Sequence, residues 1–257
     1  MRVSSDDTGT GTPVVLLHGL TATRRYVVMG STALERSGHR VVAYDARGHG
    51  ESDPGDRYDY AALAGDLGQL LDELDIERAV LAGASMGAHT LLRYALDHPE
   101  RALAAVVITP AYDPDASPAA LERWDALSAG LRDGGVDGFL AAYGEPQVPD
   151  RWRETVQTVL RQRLSRHRHP QAVADALREV PRSRPFAAWS DLHALDLPVT
   201  VVADRDDADP EHPLVVGERY AAEIPGAQLA VEAEGRSPLA WQGSQLSKII
   251  AAVARRA

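Results

Sequence analysis

The sequence predicts a doubly wound α/β fold, and three observations lead there. Short apolar or β-branched runs recur along the chain, helix-length segments with apolar residues at helical spacing lie between them, and one long helical stretch interrupts the alternation. The runs are Pro13 to Leu17, Arg40 to Tyr44, Ala79 to Ala82, Ala104 to Ile108, Val199 to Ala203 and Gln228 to Val231. Each is too short for a helix and lacks strict alternation, which is how strands buried on both faces of a parallel sheet read.

Taken in order, the elements support this fold class. About a dozen residues precede the first buried strand, too few for a full antiparallel hairpin with its turns, so the N-terminal part of the sheet is expected to be shortened. Tyr60 to Leu74 carries Leu63, Leu67, Leu70, Leu71 and Leu74 at helical spacing, and Met86 to Leu96 follows the same period. From Asp113 to Ser190 no strand-like run occurs. Helical stretches there (Ala119 to Leu131, Arg151 to Arg166, Gln171 to Val180) are separated by Gly and Pro breaks. This segment reads as a helical cap inserted after the fourth detected strand, giving a core of residues 1–111 and 191–257 and a cap of residues 112–190.

With 257 residues and 44% hydrophobic content, the chain can bury one large core. Its net charge of −10 argues against nucleic acid and against an anionic membrane as partners. A small-molecule substrate is expected, with no nucleic acid and no membrane, and a homodimer is compatible with the chain. The absence of cysteine excludes disulfides, a thiolate nucleophile and a thiolate metal site. Met1 to Gly11 contains no apolar run resembling a signal peptide, and no stretch approaches a membrane span, so a cytoplasmic protein is expected.

Chemistry concentrates at the ends of the predicted strands. After the third comes Gly83-Ala84-Ser85-Met86-Gly87, followed at once by a helix-forming run. Small residues around a serine at a strand-to-helix turn permit a tight, strained bend that lifts the hydroxyl into a cleft. The same turn puts Ser85 at a helix N-terminus, where free N–H groups favour negative charge; the plainer reading is a serine that only caps the helix. The first strand ends in His18-Gly19-Leu20-Thr21, at the sheet edge where ligands bind in open α/β folds. Backbone N–H groups of Leu20 and Met86 could hold the oxyanion of a tetrahedral intermediate, a role that needs no particular side chain. His18 is assigned to loop structure. No cluster has metal-ligand spacing and no Gly-rich phosphate loop is present, so neither cofactor nor metal is expected.

His18-Gly19, Asp45-Ala46-Arg47-Gly48-His49-Gly50-Glu51-Ser52 and Gly83-Ala84-Ser85-Met86-Gly87 together resemble the α/β-hydrolase superfamily, in its capped esterase, peroxidase-like and epoxide-hydrolase-like branches. The likeness covers nearly the whole chain, the cap least. It implies an α/β-hydrolase fold with Ser85 as nucleophile, and His49 as a structural residue of the turn after its strand. The family's acid follows the penultimate strand, where Val201-Val202-Ala203 leads into Asp204-Arg205-Asp206-Asp207. Asp207 is the matching acid by register, although like charges so close together can shift the role among them, and a solvated acidic loop is the bland alternative.

The final strand leads to Glu234-Gly235-Arg236-Ser237-Pro238, similar to the family's Gly-His-Ser-Pro, which puts Arg236 where the proton-transferring histidine belongs. Arginine stays charged and cannot accept a serine proton. His212, in the loop Asp207-Ala208-Asp209-Pro210-Glu211-His212-Pro213, is the best-placed substitute, because it keeps the chain order serine, acid, histidine; the alternative is an exposed loop histidine. His89 is expected under the elbow, and His167 and His169 reach the site only if the cap folds over it. Arg236 either pairs with Asp207 and binds a substrate carboxylate or stabilises an oxyanion, or points to solvent. Tyr112, Trp124, Tyr143, Trp152 and Trp189 are candidates to wall an apolar pocket, Tyr112 and Trp124 foremost.

The expectation is therefore a cofactor-free, esterase-like serine hydrolase acting on a small acyl compound. Ser85, His212 and Asp207 would form an atypical triad, Leu20 and Met86 the oxyanion hole, and Arg236, Trp124 and Tyr112 the substrate contacts. The rival is a non-hydrolytic member of the fold, a lyase, cyclase or small-molecule binder, that has lost the triad histidine.

Overall fold

A computed structural model describes residues 1–116, 121–205, 209–233 and 241–257. Every predicted run becomes a strand. β2 (Thr12–Leu17), β3 (His39–Tyr44), β4 (Ala79–Ala84), β5 (Ala102–Ile108), β6 (Val199–Ala203) and β7 (Gln228–Val231) pair in parallel, and β1 (Ser5–Gly9) joins antiparallel to β3. The seven-stranded order is β1-β3-β2-β4-β5-β6-β7. The shortened N-terminal part is thus a single antiparallel strand. Its residues, Ser5-Asp6-Asp7-Thr8-Gly9, are mostly exposed, so they carry none of the hydrophobic signal that marks the other six.

Successive strand residues point to opposite faces, and each face has its own core. Val15, Leu17, Leu81, Val107 and Val201 pack against Leu67 and Leu71 of α2 (Tyr60–Glu73) and against Leu91 and Leu92 of α3 (Met86–Asp97). On the other face Val14, Leu16, Val80, Val106 and Val202 meet Leu34 of α1 (Ala33–Arg36) and Leu246 and Ile250 of α8 (Gly243–Ala254). Hydrophobic positions of both parities are therefore needed, which is why the strands read as continuous apolar runs.

Between β5 and β6 lie the cap helices α4 (Leu121–Tyr143), α5 (Asp150–Leu164) and α6 (Pro170–Glu179); α7 (Leu214–Glu223) connects β6 to β7. α4 bends at Gly135, whose φ of 60° and ψ of −145° break the helix. Its two arms approach so closely that a Cβ on Gly130 would lie 2.5 Å from the Gly138 carbonyl oxygen. Leu127, Leu131, Phe139, Leu164, Val173 and Leu177 form the cap's own core. A further cluster joins Ala172 and Ala176 of α6 to Tyr58, Tyr60 and Met86, which seats the cap over the serine turn. Among the described residues no helix is long and apolar enough to cross a membrane.

The sheet order reverses direction at β2 and β4: β3 lies beyond one and β5 beyond the other. Helices therefore leave in opposite directions from the carboxyl ends of two neighbouring strands and open a crevice there. The loops that leave those two ends are His18–Thr21 and Ser85.

Candidate active site

Ser85 takes φ 50° and ψ −112° between β4 and α3, a left-handed conformation that costs a non-glycine residue roughly 1–3 kcal/mol. Its N–H donates to the Ile108 carbonyl at 2.9 Å and its carbonyl accepts from His89 N–H at 3.1 Å, so sheet and helix together hold the bend. Gly83 and Gly87 are obligatory. A Cβ on Gly83 would lie 2.4 Å from the Gly87 backbone, and one on Gly87 would lie 2.2 Å from the Leu17 carbonyl oxygen.

Facing this turn, the loop after β2 is locked by its histidine. Ala46 N–H donates to His18 Nε2 at 2.9 Å, so His18 Nδ1–H must donate to the Gly19 carbonyl at 2.8 Å. Burial lowers the His18 pKa to about 4 and keeps the ring neutral. The N–H groups of Leu20 and Met86 have no hydrogen-bond acceptor among the described residues, which leaves two donors flanking Ser85. The Asp45–Ser52 segment builds a turn around a buried carboxylate. Asp45 accepts from Arg24 N–H at 2.7 Å, from the Arg24 guanidinium and from Glu51 N–H at 3.0 Å, and a Cβ on Gly50 would strike its carboxylate. His49 is fully buried in that turn and its Nδ1 donates to the Arg47 carbonyl at 2.9 Å.

His212 reaches the serine. Ser85 Oγ lies 2.9 Å from His212 Nε2, and His212 Nδ1 lies 2.7 Å from Asp209 Oδ2. Residues 209–212 make a single turn, with His212 N–H donating to the Asp209 carbonyl at 3.2 Å and Glu211 N–H to Asp209 Oδ1 at 3.2 Å. Pro210 occupies the turn position that suits its fixed φ. Burial opposes charge on both members of the pair, but attraction wins. The His212 pKa is pulled down by burial and raised further by Asp209, Asp204 and Glu211, so it stands above the ordinary value. Asp209, raised by burial, is lowered more by His212, by the Glu211 amide and by Arg163, and stays ionised. Asp204, buried near Asp209 and Glu232, is pushed up to about 7 by burial and by those two charges.

The other predicted residues divide. Asp207 and Arg236 lie outside the described residues; within them the carboxylate on His212 is that of Asp209. Its signal was the Asp-x-x-His spacing, which fits one turn, but register with the family's pattern directed attention upstream. His89 sits behind the elbow: Ala111 and Tyr112 N–H groups donate to its Nε2 at 3.1 and 3.2 Å, and Nδ1–H faces the Tyr60 hydroxyl at 3.0 Å. Burial lowers its pKa to about 3. His167 does bring the cap onto the core, but both its nitrogens are used, Nδ1 by Gly50 N–H and Nε2 on the Thr21 carbonyl, each at 2.9 Å.

A cavity of about 590 Å³ covers Ser85 and His212, walled by Trp124, Leu127, Phe139 and Tyr143 of α4 and by Val156, Val159, Leu160 and Arg163 of α5. Trp124 is placed as expected. Tyr112 is a correction: its hydroxyl donates to the Phe186 carbonyl at 3.1 Å and its ring packs edge-on to Phe186 at 5.1 Å, away from the cavity. It lies four residues after β5, so it turns into the core beside Tyr220 ahead of the first cap helix. Trp189 likewise belongs to that core. Among the described residues, no group of three or more His, Asp or Glu side chains is arranged to hold a metal ion.

Known proteins share this fold. An esterase structure from Thermogutta terrifontis superposes with a TM-score of 0.80 at 29% identity, covering 98% of this chain and 92% of that one. A hydrolase from Pseudomonas aeruginosa PA01 gives a TM-score of 0.71 at 26% identity over 89% and 85% of the two chains. By sequence, the putative carbamate hydrolase RutD of Caulobacter sp. (strain K31) is 30% identical over 234 residues, 84% of this chain and 85% of that protein. The putative non-heme chloroperoxidase of Synechocystis sp. is 38% identical over 107 residues, and the chain covers only 39% of its length. The profile of the alpha/beta hydrolase fold family matches residues 12–250. With an elbow serine at the switch point of the sheet, a helical cap above it and a family match across nearly its whole length, the chain belongs to the α/β-hydrolase family.

Proposed function

We propose that this protein is a serine hydrolase of small acyl compounds whose base and acid both come from the loop between β6 and α7. The observation that carries the reading is the continuous chain Ser85 Oγ to His212 Nε2 at 2.9 Å and His212 Nδ1 to Asp209 at 2.7 Å. A nucleophile, a base and an orienting acid within hydrogen-bond reach define a triad by geometry, whatever their order along the sheet.

In the reaction, Ser85 Oγ attacks the acyl carbonyl carbon as its proton passes to His212 Nε2. Asp209 holds Nδ1–H in place and stabilises the imidazolium. The carbonyl π pair moves to oxygen, where the Leu20 and Met86 amides donate to it. Collapse expels the alcohol, which takes the proton from His212, and leaves an acyl-Ser85 ester. Water then repeats the steps with His212 as base, releasing the acid and restoring the serine. Burial of the pair beneath α4 and α5 strengthens each of these interactions.

The rival reading, a non-hydrolytic protein using the same cleft, predicts an unactivated serine. Intact-mass analysis after exposure to a fluorophosphonate separates the two. One adduct per chain, mapped to Ser85, lost in Ser85→Ala and slowed by orders of magnitude in His212→Ala, is the expected result. A folded protein that takes no label would refute the hydrolase reading.

A further inference from the structure

Five charged side chains besides His212 line the cavity: Arg123, Glu145, Arg163, Asp209 and Glu211. Each of the three carboxylates already has a side-chain partner. Asp209 holds His212, Glu211 pairs with Arg123 and accepts from the Tyr143 hydroxyl, and Glu145 pairs with Arg153. Arg163 is left over. Among the described residues no carboxylate lies within ion-pair distance of it, and only its Nη2 is engaged, donating to the Leu20 carbonyl at 3.2 Å and the Thr21 hydroxyl at 3.4 Å. Its Nε–H is buried with no acceptor. Tyr26 supports the guanidinium from 5.7 Å, so the group is fixed in place.

An arginine cannot shed its charge to relieve such a position. Burial does pull its pKa below the ordinary value, with distant acids opposing, which marks the site as short of an anion. The Nη2 bonds have a second consequence. They tie α5 to the Leu20–Thr21 segment of the loop after β2, so Arg163 lines the same cavity as Leu20 and Ser85.

We propose that Arg163 is the substrate-recognition residue of this site, binding a carboxylate carried by the ester. This rests on the hydrolase reading above and assigns its substrate class: monoanionic acyl compounds such as half-esters of short dicarboxylic acids, or esters with a carboxylate on the alcohol side. A single negative charge fits better than a phosphate dianion, because one guanidinium with unused donors lines a cavity whose walls are otherwise largely Trp124, Leu127, Phe139, Val156, Val159 and Leu160. The carboxylate would accept a charge-assisted hydrogen bond from Nη1, which donates to nothing among the described residues.

Matched substrates test the assignment. Mono-p-nitrophenyl succinate against p-nitrophenyl butyrate places the charge on the acyl side, and 4-acetoxybenzoate against 4-methylphenyl acetate places it on the alcohol side. The wild type is expected to favour the anionic member of at least one pair by roughly 10- to 100-fold in kcat/KM, chiefly through KM. Arg163→Met collapses that ratio toward one, and Arg163→Lys, which keeps the charge but not the fork, restores part of it. Any loss shared by both members of a pair reports the hydrogen bonds to Leu20 and Thr21, which a merely structural arginine would also lose. A wild-type ratio near one in both pairs, or a ratio unchanged by Arg163→Met and Arg163→Lys, overturns the proposal. Should no ester be turned over at all, the hydrolase reading fails, and titration calorimetry with monomethyl succinate, a monoanion, still decides. Binding to wild type that Arg163→Met abolishes supports the anion site, and no binding to wild type overturns it.

Discussion

Replacing Asp209 by asparagine removes one charge and almost no volume, yet the turn around it makes the consequence large. Asp209 accepts two hydrogen bonds, from His212 Nδ1–H at 2.7 Å and from Glu211 N–H at 3.2 Å. In the variant the amide oxygen is retained by Glu211 N–H, so the amide NH₂ is turned toward His212 Nδ1. That nitrogen must then be an acceptor, and the ring proton moves to Nε2, where it faces Ser85 Oγ and blocks proton uptake. Losing a charge-assisted hydrogen bond alone is worth about 1.5–3 kcal/mol, or roughly 10- to 100-fold in rate. A wrong tautomer costs more, on the order of 10⁴-fold, or about 5.5 kcal/mol in the barrier. The magnitude therefore separates loss of an attraction from loss of the base.

The assay is steady-state hydrolysis of a p-nitrophenyl ester as a function of pH, with circular dichroism and a thermal melt to show that the variant is folded. As the proposed base, His212 would work only when neutral. Burial lowers its pKa, and Asp209, Asp204 and Glu211 raise it more, so in the wild type activity falls as pH drops through a value above the ordinary histidine pKa of 6.5. With Asp209 neutralised, the largest of the raising influences is gone and the limb moves to lower pH. Asp209→Asn that keeps more than about one tenth of the activity, with its acid limb unmoved, would refute the role given to this carboxylate.

Other perturbations probe the frame around the triad. Gly87→Ala forces a Cβ to within 2.2 Å of the Leu17 carbonyl oxygen, so it is expected to cost at least about 3 kcal/mol of stability, read as a drop in urea midpoint; a neutral result would mean that the elbow is looser than drawn. Asp66→Ala strands the partly buried Arg47, which donates to both Asp66 oxygens at 2.6 and 2.7 Å, and should cost about 3 kcal/mol in chemical denaturation while leaving the pH profile of hydrolysis in place. Arg236→His, which restores the residue usual for the family, is expected to leave turnover unchanged, because Ser85 Oγ is already matched to His212. A large gain in ester turnover would show that the base at residue 212 is a poor substitute.

The fold was legible because burial on two faces leaves a simple mark: strands β2 to β7 had to be apolar at consecutive positions. β1 was not legible, since an exposed edge strand of Ser, Asp, Thr and Gly is held by backbone pairing to β3 and not by its side chains. In the candidate site, the bend at Ser85 was legible in local sequence, for a tight strand-to-helix turn demands small residues at fixed offsets. His212 was found by asking which histidine keeps the chain order. The contact of Asp209 with His212 was not legible, because register with the family's pattern points to Asp207, whereas the Asp-x-x-His spacing closes within one turn. Tyr112 failed for a different reason. Aromatic residues at a domain boundary read alike whether they face a cavity or the core, and only the packing against Phe186 decides. Arg163 gave no signal at all, because an arginine in the last turn of a helix is ordinary.

Under the proposed mechanism acid and base share one turn, which makes the turn itself a catalytic variable. In a triad assembled from two separate loops, the acid-to-base distance depends on how two strands end; here it depends on residues 209–212 alone, bounded by Pro210 and Pro213, with Pro213 leading into α7. Pro210→Gly leaves every functional group in place but frees the backbone between the two. The folded chain loses only roughly 0.4–1 kcal/mol, the entropy that proline had removed from the unfolded state. Turnover should fall further than that, up to about 100-fold, because a displacement of about 1 Å at His212 takes Nε2 out of line with Ser85 Oγ. The loss should be the same at every pH on the plateau, and the acid limb should stay where it is, since the charges that set the His212 pKa are untouched. That pattern is the opposite of the one expected for Asp209→Asn, which moves the limb. Equal behaviour of the two variants in the pH profile would mean that the turn and the carboxylate are not separable, and that His212 is held by something other than the geometry of residues 209–212.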